Sequence, residues 1–219
     1  MRINRYIATC GIASRRAAED LITGKHIKVN GKIVTDLSTQ INDGDVVELD
    51  GKKITPADEK IYIIMNKPRG YVTTCSDDRG RRTVMDLVPE KVGGNRIFPV
   101  GRLDYDTEGL LILTNDGDFA YQIIHPSHEI PKVYHAVVDT DLTDEHIIEL
   151  TKQSDQVTQR GPRELEITIH EGKNRQVRKM LSNVGLEAVN LKRIAIGKLS
   201  IGKLKSGEII CLNKPPAIY

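Results

Sequence analysis

The sequence predicts an α+β protein with a small N-terminal domain and a larger second domain. Stretches with helical and with strand periodicity are mixed along the 219 residues, without a regular strand–helix–strand repeat. A polar segment that contains Pro56 interrupts the pattern near residue 57. We place the boundary there, so the expected domains are residues 1–56 and 57–219.

The first domain is expected to hold two short helices and a small β element. Apolar residues in 2–9 recur at helical spacing, and Ser14 can cap a second helix. Asn30 followed by Gly31 separates two β-like stretches and predicts a tight hairpin. The stretch "DVVEL" after Asp43 and Gly44 predicts a further strand.

The second domain opens with "IYIIMN", which predicts a buried strand. Further strands and helices follow from the periodicity of the apolar residues. Strands are predicted at 109–114, 132–138, 164–170 and 207–212, and helices at 117–124, 143–152 and 174–184. The stretch "KQSDQVTQRGPR" between the second of these helices and residue 164 is expected to be only a short connection.

The charge is unevenly distributed, although the net charge is only +2. Residues 1–35 carry seven lysines and arginines against two acids, and residues 171–205 carry nine against two. Most of the acids lie between these two blocks. This arrangement predicts a polyanionic partner that is held at two places.

Three widely spaced cysteines and the absence of a CxxC pair indicate neither a zinc ribbon nor a disulfide framework. The sequence shows no apolar run of the roughly 20 residues that a membrane span needs. The first residues lack the apolar centre of a secretory signal. We therefore expect a cytoplasmic protein without a membrane partner.

The densest stretch is "GRLDYDTEGLLILTNDGD" at 101–118, where five acids surround an apolar run. "DYDTEG" imitates the start of a calcium loop, but Asn115 stands where the loop needs a glutamate. A glycosidase pair of Asp104 and Glu108 would require a sugar-stacking cleft, and the chain has no Trp and only two Phe. A carboxylate beside Arg102 would instead stay ionised, as a nucleophile or base acting on a charged polymer requires.

Four motifs in order resemble those of the pseudouridine synthases. The stretch beginning "GRLDYDTEGL" is similar to the family's Arg-Leu-Asp-x-x-Thr-x-Gly-Leu signature, and "NKPRG" at 66–70 to its lysine-proline motif. "KVYHAVV" at 132–138 resembles the segment with the active-site tyrosine, and "EGKNRQVRKM" at 171–180 the segment with the basic partner of the aspartate. "SRRAAEDLI" and "IKVNGKIV" within 1–54 resemble an S4-type RNA-binding domain, so the resemblance spans nearly the whole chain.

The resemblance implies an enzyme that converts a specific uridine of ribosomal RNA, closer to the large-subunit type, to pseudouridine without cofactor or metal. Asp104 would be the catalytic aspartate, acting at the ribose, and Arg178 its ion-pair partner. Tyr134 would stack on the base, and Arg102 would replace the flipped uridine or contact phosphates. The implied catalytic domain has a mixed, largely antiparallel sheet flanked by helices.

The remaining basic residues of these segments are expected to bind RNA, except that Lys67 would also support the catalytic strand. They are Arg2, Arg5, Arg15, Arg16, Lys28, Lys32, Lys67, Arg79, Arg81, Arg82, Lys173, Arg175 and Lys179. The expected partner is ribosomal RNA or a ribosome-assembly intermediate, bound by a monomer. The alternative is a non-catalytic RNA-binding factor that keeps the fold, although Asp104, Tyr134 and Arg178 are all present.

Overall fold

A computed structural model describes residues 1–57, 59–89, 92 and 96–219. The chain divides into two compact units. The first holds residues 1–60 with 94–96 and 115–117, and the second holds the rest of the chain. In the part that the structure describes, no helix combines the length and apolar character that crossing a membrane requires.

The first unit packs two helices, α1 (Ile3–Thr9) and α2 (Arg15–Thr23), on a small sheet. The sheet has the order β2-β1-β3-β4 and antiparallel pairing. Its strands are β1 (Ile27–Val29), β2 (Lys32–Ile33), β3 (Val47–Leu49) and β4 (Lys52–Lys53). The predicted cap is confirmed, because the Ser14 hydroxyl accepts the Ala17 backbone N–H at 3.1 Å. The predicted hairpin is also present, with Asn30 and Gly31 both at positive φ.

The second unit is built on a mixed sheet with the order β13-β5-β7-β11-β8-β10-β9. In addition, β6 pairs with β7 and β12 with β11. Among the described strands, all pairs are antiparallel except that of β7 with β11. The strands are β5 (Tyr62–Lys67), β6 (Phe98–Val100), β7 (Glu108–Thr114), β8 (Lys132–Val138), β9 (Gln156–Gly161), β10 (Glu164–Ile169), β11 (Ala188–Ile196), β12 (Leu199–Ser200) and β13 (Ile209–Leu212).

Helices pack on both faces of this sheet, in agreement with the expected sheet flanked by helices. The helices are α3 (Gly117–Ile124), α4 (Asp144–Thr151) and α5 (Gln176–Asn183). Successive side chains of β7 point to opposite faces, so Leu111 joins the core beneath α5 while Leu110 and Ile112 join the core beneath α3. All three leucine and isoleucine side chains are fully buried, which fixes the position of β7 in the sheet.

Four strands of the second unit, β6, β9, β11 and β12, were not predicted from the sequence. The prediction that 152–163 is only a connection is wrong, because β9 lies there and forms a hairpin with β10. The longest described strand, β11, was also missed. Its adjacent Lys192 and Arg193 look like a charged surface, yet Leu191, Arg193 and Ile196 on one face are buried.

Candidate active site

A cavity of about 650 Å³ opens at the ends of the central strands of the second unit. Its wall includes Arg102, Asp104, Tyr134 and Arg178, the four residues that the resemblance implies as catalytic. The sheet register explains why these distant segments meet. One row across the sheet aligns Lys67 of β5, Gly109 of β7, Arg193 of β11 and Tyr134 of β8.

Gly109 allows β7 and β11 to approach each other closely in this row. Its φ is +114°, and a Cβ at this position would lie 2.2 Å from the Arg193 carbonyl oxygen. A side chain would therefore push β7 and β11 apart. The glycine of the "DTEGL" stretch thus brings the loop before β7 next to the strand that carries Arg193.

The loop 101–107 between β6 and β7 presents Asp104, and buried groups hold its backbone. The Thr73 hydroxyl donates to the Leu103 carbonyl at 2.7 Å. The Gly70 N–H donates to the Tyr105 carbonyl at 2.9 Å. The "NKPRG" segment therefore supports the loop directly.

Lys67 is fully buried, so its predicted role as an RNA contact is wrong. Its Nζ donates to the carbonyls of Pro68 and Asp104 at 3.1 Å and of Thr107 at 2.9 Å. Burial lowers the pKa of the Lys67 ammonium to about 8, although the charges of Asp106, Asp104 and Glu108 oppose that shift. Lys67 thus supports the loop from inside, whereas the resemblance implied that it supports the catalytic strand.

Arg178 binds Asp106, and the predicted ion pair with Asp104 is not formed. Its Nη2 donates to the Asp106 carbonyl at 2.9 Å and its Nη1 to the Ala188 carbonyl at 3.1 Å. Its Nε lies 3.3 Å from the Asp106 carboxylate. Asp104 and Asp106 are two residues apart, and the loop turns the second carboxylate towards α5.

Arg175 holds the same carboxylate, although the sequence predicted a phosphate contact. Its Nη1 and Nη2 donate to the two Asp106 carboxylate oxygens, each at 3.1 Å. Burial alone would raise the pKa of the Asp106 carboxyl, but the hydrogen bonds from Arg175 and the charges of both arginines outweigh it and lower that pKa. Asp106 therefore stays ionised and joins the loop to α5.

The Asp104 carboxylate is left free to meet a ligand. Within the ranges that the structure describes, it forms no hydrogen bond and no ion pair, and Arg102 is likewise not paired with it. Its charge still acts on Arg175 and Arg178. A half-buried, unpaired carboxylate on a loop fixed by neighbouring groups is the arrangement that a nucleophile or base requires.

The other expected RNA-binding residues are mostly exposed. Lys28 and Arg5 are half-buried, whereas Arg2, Arg15, Arg16, Lys32, Arg79, Arg81, Arg82, Lys173 and Lys179 are exposed. Arg81 borders the cavity and donates from Nη2 to Asp77 at 2.6 Å, which fixes its direction. Lys173 also borders the cavity.

Sequence reasoning missed three residues of the cavity wall. Arg193 and Lys132 are cations that the strand pattern turns inward, and Tyr105 is an exposed ring directly after Asp104. Leu191 and Arg193 are two positions apart in β11, so their side chains point to the same face. This spacing is the sequence signal that could have identified Arg193.

Comparisons with known proteins identify the family of the chain. The RNA pseudouridylate synthase family matches residues 61–183, and the S4 domain matches residues 1–47. The ribosomal large subunit pseudouridine synthase B of Bacillus subtilis (strain 168) is 40% identical, with 87% of this chain and 83% of that protein covered. A dual-specificity RNA pseudouridine synthase of Escherichia coli O157:H7 is 36% identical, over 87% of this chain and 68% of that protein.

A solved structure described as a pseudouridylate synthase superposes with a TM-score of 0.69 at 28% identity. The superposition covers 97% of this chain and 96% of that one. The chain therefore belongs to the RNA pseudouridine synthase family, with an S4 domain at its N-terminus. It is an enzyme of the isomerase class, and its fold is the mixed sheet flanked by helices that the sequence predicted.

Proposed function

We propose that this enzyme isomerises a uridine of large-subunit ribosomal RNA, with Asp104 as the catalytic carboxylate. The observation that carries the proposal is the Asp104 carboxylate, which has no partner among the described residues and lines the same cavity as Tyr134. The cavity, of about 650 Å³, is large enough for a nucleotide. The name of the Bacillus subtilis relative, a ribosomal large subunit pseudouridine synthase, supports the choice of the RNA.

The target uridine leaves its RNA stack to enter the cavity, which costs a few kcal/mol. Stacking on Tyr134, worth about 1–3 kcal/mol, offsets part of that cost. Tyr134 is only 8% exposed and lies on β8 opposite Arg193, so its ring is held at the cavity wall. Arg102 at the same wall is exposed and is free to contact a phosphate or to occupy the place that the base leaves.

Asp104 then acts at the ribose, by attacking C1′ or by taking the C2′ proton. In both routes the C1′–N1 bond breaks with its electron pair on uracil. The uracil rotates and C5 bonds to C1′, as the Asp104–C1′ bond breaks in the first route or as the proton returns to C2′ in the second. The proton on C5 then leaves and N1 gains a proton. The product has the same composition as the substrate, so no cofactor or metal is needed.

The supports of the loop determine where Asp104 stands. Lys67 holds the loop from beneath, and Arg175 and Arg178 hold Asp106 from the side. A misplaced carboxylate loses most of the advantage of a preorganised site. These three cations are therefore positioning residues, and Asp104 is the residue that meets the ribose.

The N-terminal unit supplies phosphate contacts. Arg15 and Arg16 are exposed in the first turn of α2, which has no acidic residue in that turn. Two cations at the positive end of a helix repel its dipole, and RNA phosphates would remove that cost. The same unit carries the exposed Lys32.

Ribosomal RNA as the substrate would place the enzyme in the cytoplasm, and one copy of the cavity holds every proposed catalytic residue, which is compatible with a monomer. The test is to map pseudouridines in ribosomal RNA from cells with and without this protein. One or more large-subunit sites should lose the modification and regain it with the wild-type protein but not with Asp104→Asn. Unchanged maps would contradict the proposal.

A further inference from the structure

Two cations on the cavity wall, the buried Arg193 and the half-buried Lys132, have no role in supporting the Asp104 loop. Arg193 is 3% exposed, and its Nε donates to the Leu110 carbonyl at 2.9 Å. Its Nη2 is enclosed and has no hydrogen-bond partner among the described residues. A buried donor without a partner costs about 1–3 kcal/mol, so it is expected to have a partner in the working state.

Lys132 is the second cation. It lies two residues before Tyr134 on β8, so both side chains point to the same face. Its Nζ donates to the carbonyls of Ile130 at 2.9 Å and His170 at 2.8 Å, which leaves one of its three N–H groups. Burial lowers the pKa of the Lys132 ammonium, and the charge of Arg193 lowers it further. The two cations therefore share one region, without a carboxylate partner for either among the described residues.

We infer that Arg193 and Lys132 form the subsite for the uracil carbonyl oxygens of the target nucleotide, beside the stacking ring of Tyr134. This inference rests on the proposed function. The depth of Arg193 favours the base over a phosphate, because phosphates continue into the RNA chain on both sides and must stay near the mouth. Exposed cations such as Arg102 and Lys173 already lie there.

The chemistry of the reaction fits a pair of cations at this place. Uracil leaves C1′ with the bonding electron pair, and the resulting negative charge spreads onto its oxygens. Moving the glycosidic bond from N1 to C5 requires a half-turn about the N3–C6 axis, which exchanges the C2 and C4 carbonyls. A donor therefore meets a carbonyl oxygen both before and after the rotation. Cytosine would offer an amino group at one of these positions and leave a buried donor unpaired.

The experiment measures single-turnover rates at saturating enzyme together with RNA affinity as a function of salt, on a ribosomal RNA fragment that contains the mapped uridine. Arg193→Gln and Lys132→Met should each slow the rate by at least about tenfold, as the loss of one preorganised donor does elsewhere. Affinity should stay within about threefold, with an unchanged log–log salt slope, because no phosphate contact is lost. Lys192→Gln is the matched control, since it removes the neighbouring charge on β11 outside the cavity wall and should keep the wild-type rate.

A second measurement does not depend on the folding of a variant. Replacing the target uridine by 4-thiouridine gives the wild-type enzyme a weaker acceptor and should slow its single-turnover rate. Normal rates for Lys132→Met and for the thio substrate would overturn the inference. A salt slope reduced by about 0.7–0.9 in Arg193→Gln at a normal saturating rate would assign Arg193 to a phosphate instead. If the wild type isomerises no uridine, the proposed function fails as well, whereas a normal wild type with normal variants removes the inference alone.

Discussion

Arg178 contacts Asp106 through both the backbone and the side chain, with Nη2 at 2.9 Å from the carbonyl and Nε at 3.3 Å from the carboxylate. Asp104, two residues earlier, keeps its carboxylate free of hydrogen bonds and ion pairs with the described residues. One acid of the "DYD" stretch thus fixes the loop, which leaves the other available for chemistry.

Arg178→Lys is expected to slow isomerisation by about 10- to 100-fold while RNA affinity changes only a few-fold. Lysine keeps the charge but cannot reach the carbonyls of Asp106 and Ala188 and the carboxylate together. Small displacements of a reacting group have effects of about this size. Single-turnover kinetics beside a filter-binding titration measures both quantities.

Lys179→Ala is the control for that variant, since Lys179 is the next residue of α5 and its side chain is exposed. It should weaken RNA binding and leave the saturating rate unchanged. If Arg178→Lys turns over at the wild-type rate, the support of the loop through Asp106 is unimportant for catalysis.

Lys67→Met is expected to lower the free energy of unfolding by about 3 kcal/mol, because it leaves three carbonyls of the loop region without their donor. The activity should fall with it, since the carbonyl of Asp104 is one of the three. Urea denaturation of both proteins gives the difference. Lys60→Met, at an exposed position, should be close to neutral, and equal losses in the two variants would contradict the role given to Lys67.

The lowered pKa of Lys67 also predicts a pH dependence of stability. The folded protein releases the Lys67 proton near pH 8, whereas an unfolded lysine keeps it to about pH 10.5. Between these values the unfolded state binds more protons, so this group's contribution to the unfolding free energy rises with pH and is lost as pH falls through 8. The difference between wild type and Lys67→Met should therefore grow from pH 7.5 to 9.5, and a constant difference would mean that the folded pKa is ordinary.

The double variant Arg15→Gln with Arg16→Gln should flatten the salt dependence of RNA binding. Each lost phosphate contact lowers the log–log slope by about 0.7–0.9, so two contacts give a drop of about 1.4–1.8. The saturating single-turnover rate should not change. Lys52→Gln with Lys53→Gln removes two exposed charges from the same unit as a control, and identical slopes for the two double variants would mean that α2 has no special contact with RNA.

Local signals predicted most of the fold. The helix at 117–124 and the strand at 132–138 match the structure residue for residue, because their apolar periodicity is strong and their ends are polar. The strand β11 was missed because its stretch "NLKRIAI" combines two cations with an apolar face, and an arginine rarely belongs to a core.

The sequence predicted residues that line the site, but it did not predict which of their side chains contact each other. The spacing of Asp104 and Asp106 cannot say which carboxylate turns towards α5, since that depends on the backbone of the loop. The sequence around Lys67 does not indicate that its side chain is buried either, because the carbonyls that surround it come from residues up to 40 positions away. Motif resemblance identifies such residues, whereas only the three-dimensional structure shows what they contact.

The central claim is that Asp104 performs the chemistry, and single-turnover isomerisation by Asp104→Asn tests it most directly. Asparagine keeps the shape, and the native carboxylate has no hydrogen-bond or ion-pair partner among the described residues, so the fold and the RNA affinity should change little. The account predicts no measurable pseudouridine at saturating enzyme, with RNA affinity within about threefold of wild type. Appreciable isomerisation by a folded, RNA-binding Asp104→Asn protein would contradict it.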